Sequence, residues 1–285
     1  MELKDYAGTL LESLRQRTPL VHCIVNTVVQ QFAANVLLAA GASPAMIDHE
    51  ADAADFAGIA DGLLINFGTP TSHQYLSADG AIDTFNQAGK PWVLDPVGFG
   101  ISGHRTSRIV RALNSRPAVV RGNASEIIGL AQQSGSARGT DSTHSVDDAL
   151  GAAASLAQSG IVVAVSGESD AIVFTDDSGT HTVTISGGSP YMPSVIGTGC
   201  SLGALTAAYA AAAAHTPQTQ DLSQQVSTGV AAATAHLHFT SAAQVAHEKA
   251  SGPGTFAAHF LDGLYAAQPE HLTRLQTTWT TGGTA

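Results

Sequence analysis

The chain reads as an α/β protein with a mostly parallel central sheet flanked by helices, and three observations predict it. Short apolar runs recur between longer helical stretches; most of these runs are continuous rather than alternating; and glycine, acidic and hydroxyl residues gather at the ends of the runs. Continuous apolar runs suit strands covered on both faces by helices, the arrangement of a parallel βαβ sheet. With 285 residues, 44% of them apolar, and no long polar or proline-rich linker, the sequence is expected to form one domain over residues 1–285 with a substantial core.

Taken in order, Met1 to Arg17 sets Leu3, Leu10, Leu11 and Leu14 among acids and bases, the pattern of a surface helix rather than a secretion signal. Strands follow at Val21 to Val25, Leu63 to Phe67, Trp92 to Asp95, Ala118 to Arg121 and Ile161 to Ser166. The helices between them are Val28 to Ala40, Ser72 to Ala88, Arg105 to Leu113, Ala124 to Gln133 and Val146 to Gln158. From Gly160 the pattern changes. Ile161 to Ser166, Ala171 to Thr175 and Thr180 to Ile185 are joined by the short turns 167–170 and 176–179, which predicts an antiparallel meander in the second half. Thereafter only helices are expected, at Cys200 to Ala214, Leu222 to Glu248 and after Gly252-Pro253-Gly254, with the Thr- and Gly-rich residues 276–285 as a frayed tail.

A net charge of −11 with only 12 lysines and arginines repels a phosphodiester backbone, so nucleic acid is not expected as a partner. The two cysteines, Cys23 and Cys200, read as free thiols of a cytoplasmic protein. The apolar run Leu202 to Ala214 is about thirteen residues long, short of the roughly 20 that a membrane span requires. It is expected to lie against the sheet, and no membrane partner is predicted.

In open α/β sheets, ligands collect beyond the carboxyl ends of the strands, and the unusual residues of this chain fall in those loops. Gly197-Thr198-Gly199-Cys200 precedes the alanine-rich run. Two glycines allow a close backbone approach, and the unpaired N–H groups of a helix start suit an anion such as phosphate. The same partial positive charge would lower the pKa of Cys200 and make it a proton acceptor; the alternative is a small buried side chain in a tight turn. Asp95, at a strand end before Pro96-Val97-Gly98, is a candidate ligand of Mg²⁺, with Glu126 as the second acid. Asn123 and Glu126 also have capping-box spacing, which needs no metal. Arg121 ends a strand and suits a polyphosphate or a salt bridge. In the turn Ser166-Gly167-Glu168-Ser169-Asp170, Ser166 can donate to phosphate and Glu168 or Asp170 can order metal-bound water, though a plain hairpin has the same composition. The 12 histidines show no metal-ligand spacing; His236 and His238 are two apart on a helix and face different sides. No Walker A sequence is present.

Taken together, several segments resemble the hydroxyethylthiazole kinases, which belong to the ribokinase-like superfamily of three-layer sandwiches. The segments are Val21-His22-Cys23-Ile24-Val25-Asn26, Gly41-Ala42-Ser43-Pro44-Ala45-Met46, Asn66-Phe67-Gly68-Thr69, Leu94-Asp95-Pro96-Val97-Gly98, Arg121-Gly122-Asn123-Ala124-Ser125-Glu126, Ser166-Gly167-Glu168, Gly197-Thr198-Gly199-Cys200 and Gly252-Pro253-Gly254-Thr255-Phe256. Their order, nearly end to end, carries the resemblance. It implies transfer of the ATP γ-phosphate to the hydroxyl of 4-methyl-5-(2-hydroxyethyl)thiazole with Mg²⁺, in thiamine salvage. It further implies that Arg121 and Ser166 contact ATP, that Asp95 and Glu126 organise magnesium, and that Met46, Gly197, Asn26 and Gly68 line the thiazole pocket. Cys200 takes the catalytic place held by an aspartate base in sugar kinases. The resemblance also implies a homotrimer with active sites between subunits. Two residues depart from the family pattern: Ser166 replaces a threonine and keeps the hydroxyl, and Thr27 stands where an aromatic is usual, beside the pocket.

The rival readings are a kinase for hydroxymethylpyrimidine or pyridoxal, an ATP-dependent dehydratase on the same fold, and a thiazole-binding protein without turnover. Cys200 and the segment Asn123-Ala124-Ser125-Glu126 argue against the first, and the paired acids Asp95 and Glu126 against the last.

Overall fold

The computed structural model describes residues 2–133 and 145–282. The first half alternates strand and helix: α1 (Lys4–Arg17), β1 (Leu20–Ile24), α2 (Gln30–Ala40), β2 (Ser43–Ala45), α3 (Ala53–Ile59), β3 (Gly62–Asn66), α4 (Ser72–Gln87), β4 (Trp92–Asp95), α5 (Gly103–Asn114), β5 (Val119–Asn123) and α6 (Ala124–Gln133). The second half holds α7 (Val146–Ala157), β6 (Val162–Ser166), β7 (Ser169–Asp176), β8 (Gly179–Ser186) and α8 (Thr198–Ala213). It closes with α9 (Pro217–Gln220), α10 (Gln224–Lys249), α11 (Pro253–Ala266), α12 (Pro269–Thr273) and β9 (Thr277–Gly282).

Among the described residues nine strands form one sheet in the order β2-β1-β3-β4-β5-β6-β7-β8-β9. Strands β1 to β6 are parallel, and β7, β8 and β9 add the antiparallel meander. Alternate residues of the central strands feed two separate cores. Leu64, Val93 and Val119 point to the layer of α1, α2, α8 and α10, whereas Leu63, Ile65, Leu94 and Val120 point to the layer of α3 to α7. This is the three-layer α/β sandwich the sequence predicts, and the continuous apolar runs are continuous because both faces are covered.

Helix α8 has no polar stripe because it has no solvent face; Leu202 to Ala213 are all buried. Its alanines let it lie close on the sheet: a Cβ at Gly62 of β3 would be 2.7 Å from the Ala207 carbonyl oxygen. Helix α10 approaches β7 in the same way, with the Phe174 ring 2.4 Å from where a Cβ of Gly229 would be. Among the described residues, no helix is long and apolar enough to cross a membrane.

The frayed tail is corrected over residues 277–282, which form β9 along most of β8; residues 283–285 lie outside the described residues. The reason is local. Strand β8 alternates buried and half-buried side chains, and the edge it would otherwise leave open is closed by β9, with Trp279 as the anchor. Trp279 donates its indole N–H to His181 Nδ1 at 3.1 Å and packs edge-on against Phe174. The threonines that read as a polar tail serve here as β-formers on an edge strand. The short β2 is likewise absent from the elements expected from sequence, since Pro44 argues against a strand unless it lies at an edge, which is where β2 is.

Candidate active site

The parallel strands end on one side of the sheet, and their ends carry the polar side chains in a row. Beyond β1 is Asn26; at and just past the end of β3 are Asn66 and Gly68; β4 ends in Asp95; β5 carries Arg121 and Asn123; and β6 ends in Ser166. With strands about 4.8 Å apart, the row from β1 to β6 is roughly 20 Å long. The start of α8 sits over its middle. A Cβ at Gly203 would be 3.5 Å from Asp95 Oδ2, and one at Gly199 would be 3.4 Å from Arg121 Nη1.

Gly197, at φ +94°, is the residue before the first turn of α8, and the Ser201 N–H closes that turn on the Gly197 carbonyl at 2.8 Å. Among the described residues, the Gly199 and Cys200 N–H groups have no acceptor, as the first turn of a helix dictates. The helix begins two residues before the expected Cys200, so the thiol lies inside the first turn beside those amides.

Asn66 is the residue that sequence reasoning passed over. It is buried, its Nδ2 donates to Asp95 Oδ2 at 2.9 Å, and its Oδ1 accepts from the Gly68 N–H at 3.1 Å and from Asn26 Nδ2 at 3.3 Å. These partners fix the amide, because the backbone N–H demands the oxygen and the carboxylate demands the nitrogen. Asn26 Nδ2 also lies 3.8 Å from Cys200 Sγ. Gly68 must be glycine, since a Cβ there would be 2.5 Å from Asn26 Nδ2. The signal in the sequence was a polar residue closing an apolar strand run, Leu63-Leu64-Ile65-Asn66.

On the other side of Asp95, Arg121 Nη1 is 3.7 Å from Asp95 Oδ2, and Arg121 Nη2 donates to Ser166 Oγ at 2.8 Å. The capping box is present: the Glu126 N–H donates to Asn123 Oδ1 at 3.0 Å, and the Asn123 N–H donates to Glu126 Oε2 at 2.9 Å. Glu126 Oε1 accepts from the Gly98 N–H at 3.2 Å, which ties the loop after Asp95 to the start of α6. The structure thus joins Asn26, Asn66, Gly68, Asp95, Arg121, Ser166 and Cys200 in one cluster. Gly197 packs against Val29 and Phe32 of the α2 region, and Met46 is half-buried on the same core face without a hydrogen bond to the cluster. Asp170 is committed elsewhere, to the Gly167 N–H at 3.1 Å and to His236 Nδ1 at 2.6 Å, so it is not the free carboxylate the turn sequence allowed.

Burial pushes the Asp95 carboxyl up to about 7, against the nearby Arg121 charge and with a further push from Glu126. Burial, and then the Asp95 charge, push the Cys200 thiol up to about 11. This reverses the lowered pKa expected from the helix start: desolvation and a neighbouring carboxylate outweigh two peptide dipoles. Among the described residues, five buried side-chain polar atoms lack a hydrogen-bond partner, and three of them, Asn26 Oδ1, Asp95 Oδ1 and Arg121 Nε, are in this cluster. Orphaned buried groups are rare in folded proteins and here mark a place shaped for a ligand. Next to it, a cavity of about 800 Å³ opens between Asn123, Ser125, Val146, Ser166, Gly167 and Thr184. A second, of about 730 Å³, lies across the same turn, between Gly167 to Ser169 and residues 186–193.

Residues 11–270 match the Hydroxyethylthiazole kinase family. The chain is 48% identical over 263 residues to a hydroxyethylthiazole kinase of Corynebacterium glutamicum, covering 91% of this chain and 94% of that one. It is 46% identical over 271 residues to that of Corynebacterium efficiens, covering 95% of each. The solved hydroxyethylthiazole kinase of Pyrococcus horikoshii superposes with a TM-score of 0.83 at 30% identity, over 97% of this chain and 99% of that one. A Staphylococcus aureus pyridoxal kinase, at 15% identity with a TM-score of 0.55 over 80% of this chain and 88% of its own, shares the fold.

Proposed function

Because the chain belongs to the hydroxyethylthiazole kinase family, we propose that the row of strand ends is its catalytic centre and that the two ends of the row receive its two substrates. The protein is a kinase that moves the γ-phosphate of ATP to the hydroxyl of 4-methyl-5-(2-hydroxyethyl)thiazole, giving the thiazole phosphate used for thiamine phosphate synthesis. The observation that carries the site assignment is the placement of the free Gly199 and Cys200 amides beside Arg121 and Asp95.

ATP occupies the β5–β6 end. Ser166 and Arg121 hold the polyphosphate, and the nucleoside fills the cavity beyond Asn123 and Gly167. The thiazole alcohol takes the β1–β3 end, against Asn26, Gly68, Met46 and Gly197. Its hydroxyl then lies near Cys200, in line with a phosphoryl group held on the free amides. Asp95 and Glu126 fit a divalent cation: among the described residues Asp95 Oδ1 is a buried acceptor without a well-formed hydrogen bond, and Glu126 is close enough to raise the Asp95 pKa. These two acids would hold Mg²⁺, which would neutralise charge on the phosphates.

Phosphoryl transfer depends on positioning and charge neutralisation more than on a strong base. Cys200 is a neutral thiol at pH 7 in this environment. It receives the hydrogen bond of the acceptor hydroxyl, and the proton passes late to a phosphate oxygen or to water, once formation of the P–O bond has made the hydroxyl oxygen acidic. Val28, 71% exposed, and Ile196, 73% exposed, flank the acceptor end. A homotrimer with active sites between subunits would cover them. The free thiols Cys23 and Cys200 and the use of ATP fit a cytoplasmic enzyme.

The test is ADP release by the purified protein with Mg²⁺, ATP and the thiazole alcohol, run beside hydroxymethylpyrimidine and pyridoxal. The expected result is the highest kcat/KM on the thiazole. Higher turnover on either other alcohol overturns the acceptor assignment, and light scattering that gives a monomer overturns the trimer.

A further inference from the structure

The turn between β6 and β7 is shared by both cavities, and one buried side chain reaches it from below. His236 of α10 is 0% exposed, and its Nδ1 lies 2.6 Å from Asp170 Oδ2. The other oxygen of Asp170 accepts the Gly167 N–H at 3.1 Å. The carboxylate therefore bridges a core helix and the backbone of the turn. From above, the turn is held by α7, since a Cβ at Gly167 would be 2.5 Å from Val146 Cγ2. Helix α10 is itself fixed on the meander at both sides of His236. Gly229 lies against the Phe174 ring, and a Cβ at Gly187, after β8, would be 2.3 Å from Gln244 Nε2.

The ring nitrogen on the far side, His236 Nε2, is buried with no hydrogen-bond partner among the described residues. Burying an unpaired polar atom destabilises the fold. An apolar side chain would fill the same space without that cost, so packing alone does not account for a histidine here. What an apolar side chain lacks is the Nδ1 contact to Asp170.

We propose that His236 is a positioning residue for nucleotide binding: through Asp170 it holds the backbone of Gly167 to Ser169 in the shape that receives ATP. The proposal rests on the assignment of this turn to ATP. Asp170 turns the Gly167 N–H inward, which leaves the Ser166 hydroxyl, bonded to Arg121 at 2.8 Å, as the group that meets the phosphates. Without the bridge the turn loses its lower support, and Ser166 loses its fixed place beside Arg121.

The test is steady-state kinetics on the full-length protein carrying His236→Phe, His236→Asn, Asp170→Ala or Asp170→Asn, with melting temperatures measured in parallel. His236→Phe and Asp170→Ala are expected to raise the KM for ATP about tenfold, the size of one lost hydrogen bond between buried groups, while the KM for the thiazole alcohol stays within about twofold. His236→Asn, whose amide nitrogen can replace Nδ1, and Asp170→Asn, which keeps an oxygen for the Gly167 N–H, are expected to retain most of the ATP affinity. Equal losses in His236→Phe and His236→Asn, or parallel rises in both KM values, overturn the proposal and leave the pair a purely structural contact. If His236→Phe does not fold, the two Asp170 variants decide the question by the same comparison. Ser166→Ala separates the two readings. If it raises the KM for ATP and the His236 and Asp170 variants do not, only the positioning role falls; if it leaves that KM unchanged, the turn is not the ATP site and both fall.

Discussion

The β1–β3 end of the strand row, the proposed acceptor end, is held by side chains bonded to one another, whereas the β5–β6 end, the proposed donor end, is held by turns bonded to helices. At the acceptor end, Asn26, Asn66 and Asp95 form a continuous buried chain. Behind it, Gln74 Nε2 donates to the Val25 carbonyl at 3.1 Å and to Asp48 Oδ2 at 2.9 Å, and Gln30 Nε2 reaches the same Asp48 oxygen at 3.2 Å. At the donor end, Ser166, Gly167 and Asn123 are strand ends and turns around an open cavity of about 800 Å³. The difference fits the tasks proposed for the two ends. Selecting one small alcohol among several requires polar groups that cannot move to suit the wrong one. A nucleotide is large, and a roomy cavity with a few placed polar groups suits it.

The largest effects are expected where the two ends meet. Asp95→Ala is expected to lower kcat about 10³-fold, the scale of removing one electrostatic contact made in the transition state, and steady-state assays with either substrate varied will read it. Next in size is Asn66→Asp, which sets a second carboxylate against Asp95 and removes the donor from a buried acceptor. A drop in kcat of about 10²-fold is expected, and a variant that changes only the ATP KM would show that the acceptor chain does not reach the chemistry. Glu126→Gln is expected to reduce turnover about tenfold or more while changing unfolding free energy by only about 1 kcal/mol, the worth of a cap. Equal losses by denaturant titration and by kinetics would make Glu126 a cap alone.

The smallest effect is on stability. Asp95 titrates near 7 in the fold against an ordinary 3.8, so between these values the folded chain keeps a proton that the unfolded chain has lost. Stability of the ligand-free protein should therefore fall as pH rises from about 4 to about 7 and level off above it. Melting curves in metal-free buffer at pH 5 and pH 8 measure the slope contributed by this group. Asp95→Asn should flatten it.

The parallel half was legible in the sequence because burial on both faces leaves uninterrupted apolar runs, and Asp95, Arg121 and Ser166 were legible because they end such runs. Asn66 also ends one, but its role depends on Asn26, forty residues earlier, and on Asp95, twenty-nine residues later, a meeting that only the order β1-β3-β4 creates. The bridge from His236 to Asp170 spans sixty-six residues and left no local pattern at all. Cys200 was placed at the right helix start with the wrong acidity, since sequence shows the amides of the first turn and not the desolvation around them. Strand β9 was lost because threonine and glycine look alike in a tail and in an edge strand until β8 is there to pair with.

Helix α8 acts as a gauge. Its side chains facing the sheet are so thin that a backbone carbonyl, that of Ala207, comes within 2.7 Å of where Gly62 would carry a Cβ. The height of the Gly199 and Cys200 amides above Asp95 is consequently set by the bulk of methyl groups a full two turns away. A larger residue at 207 is expected to push α8 off the sheet and shift the Gly199 and Cys200 amides relative to Asp95 without touching either, so the alanines set the geometry of the proposed site as much as the charges do.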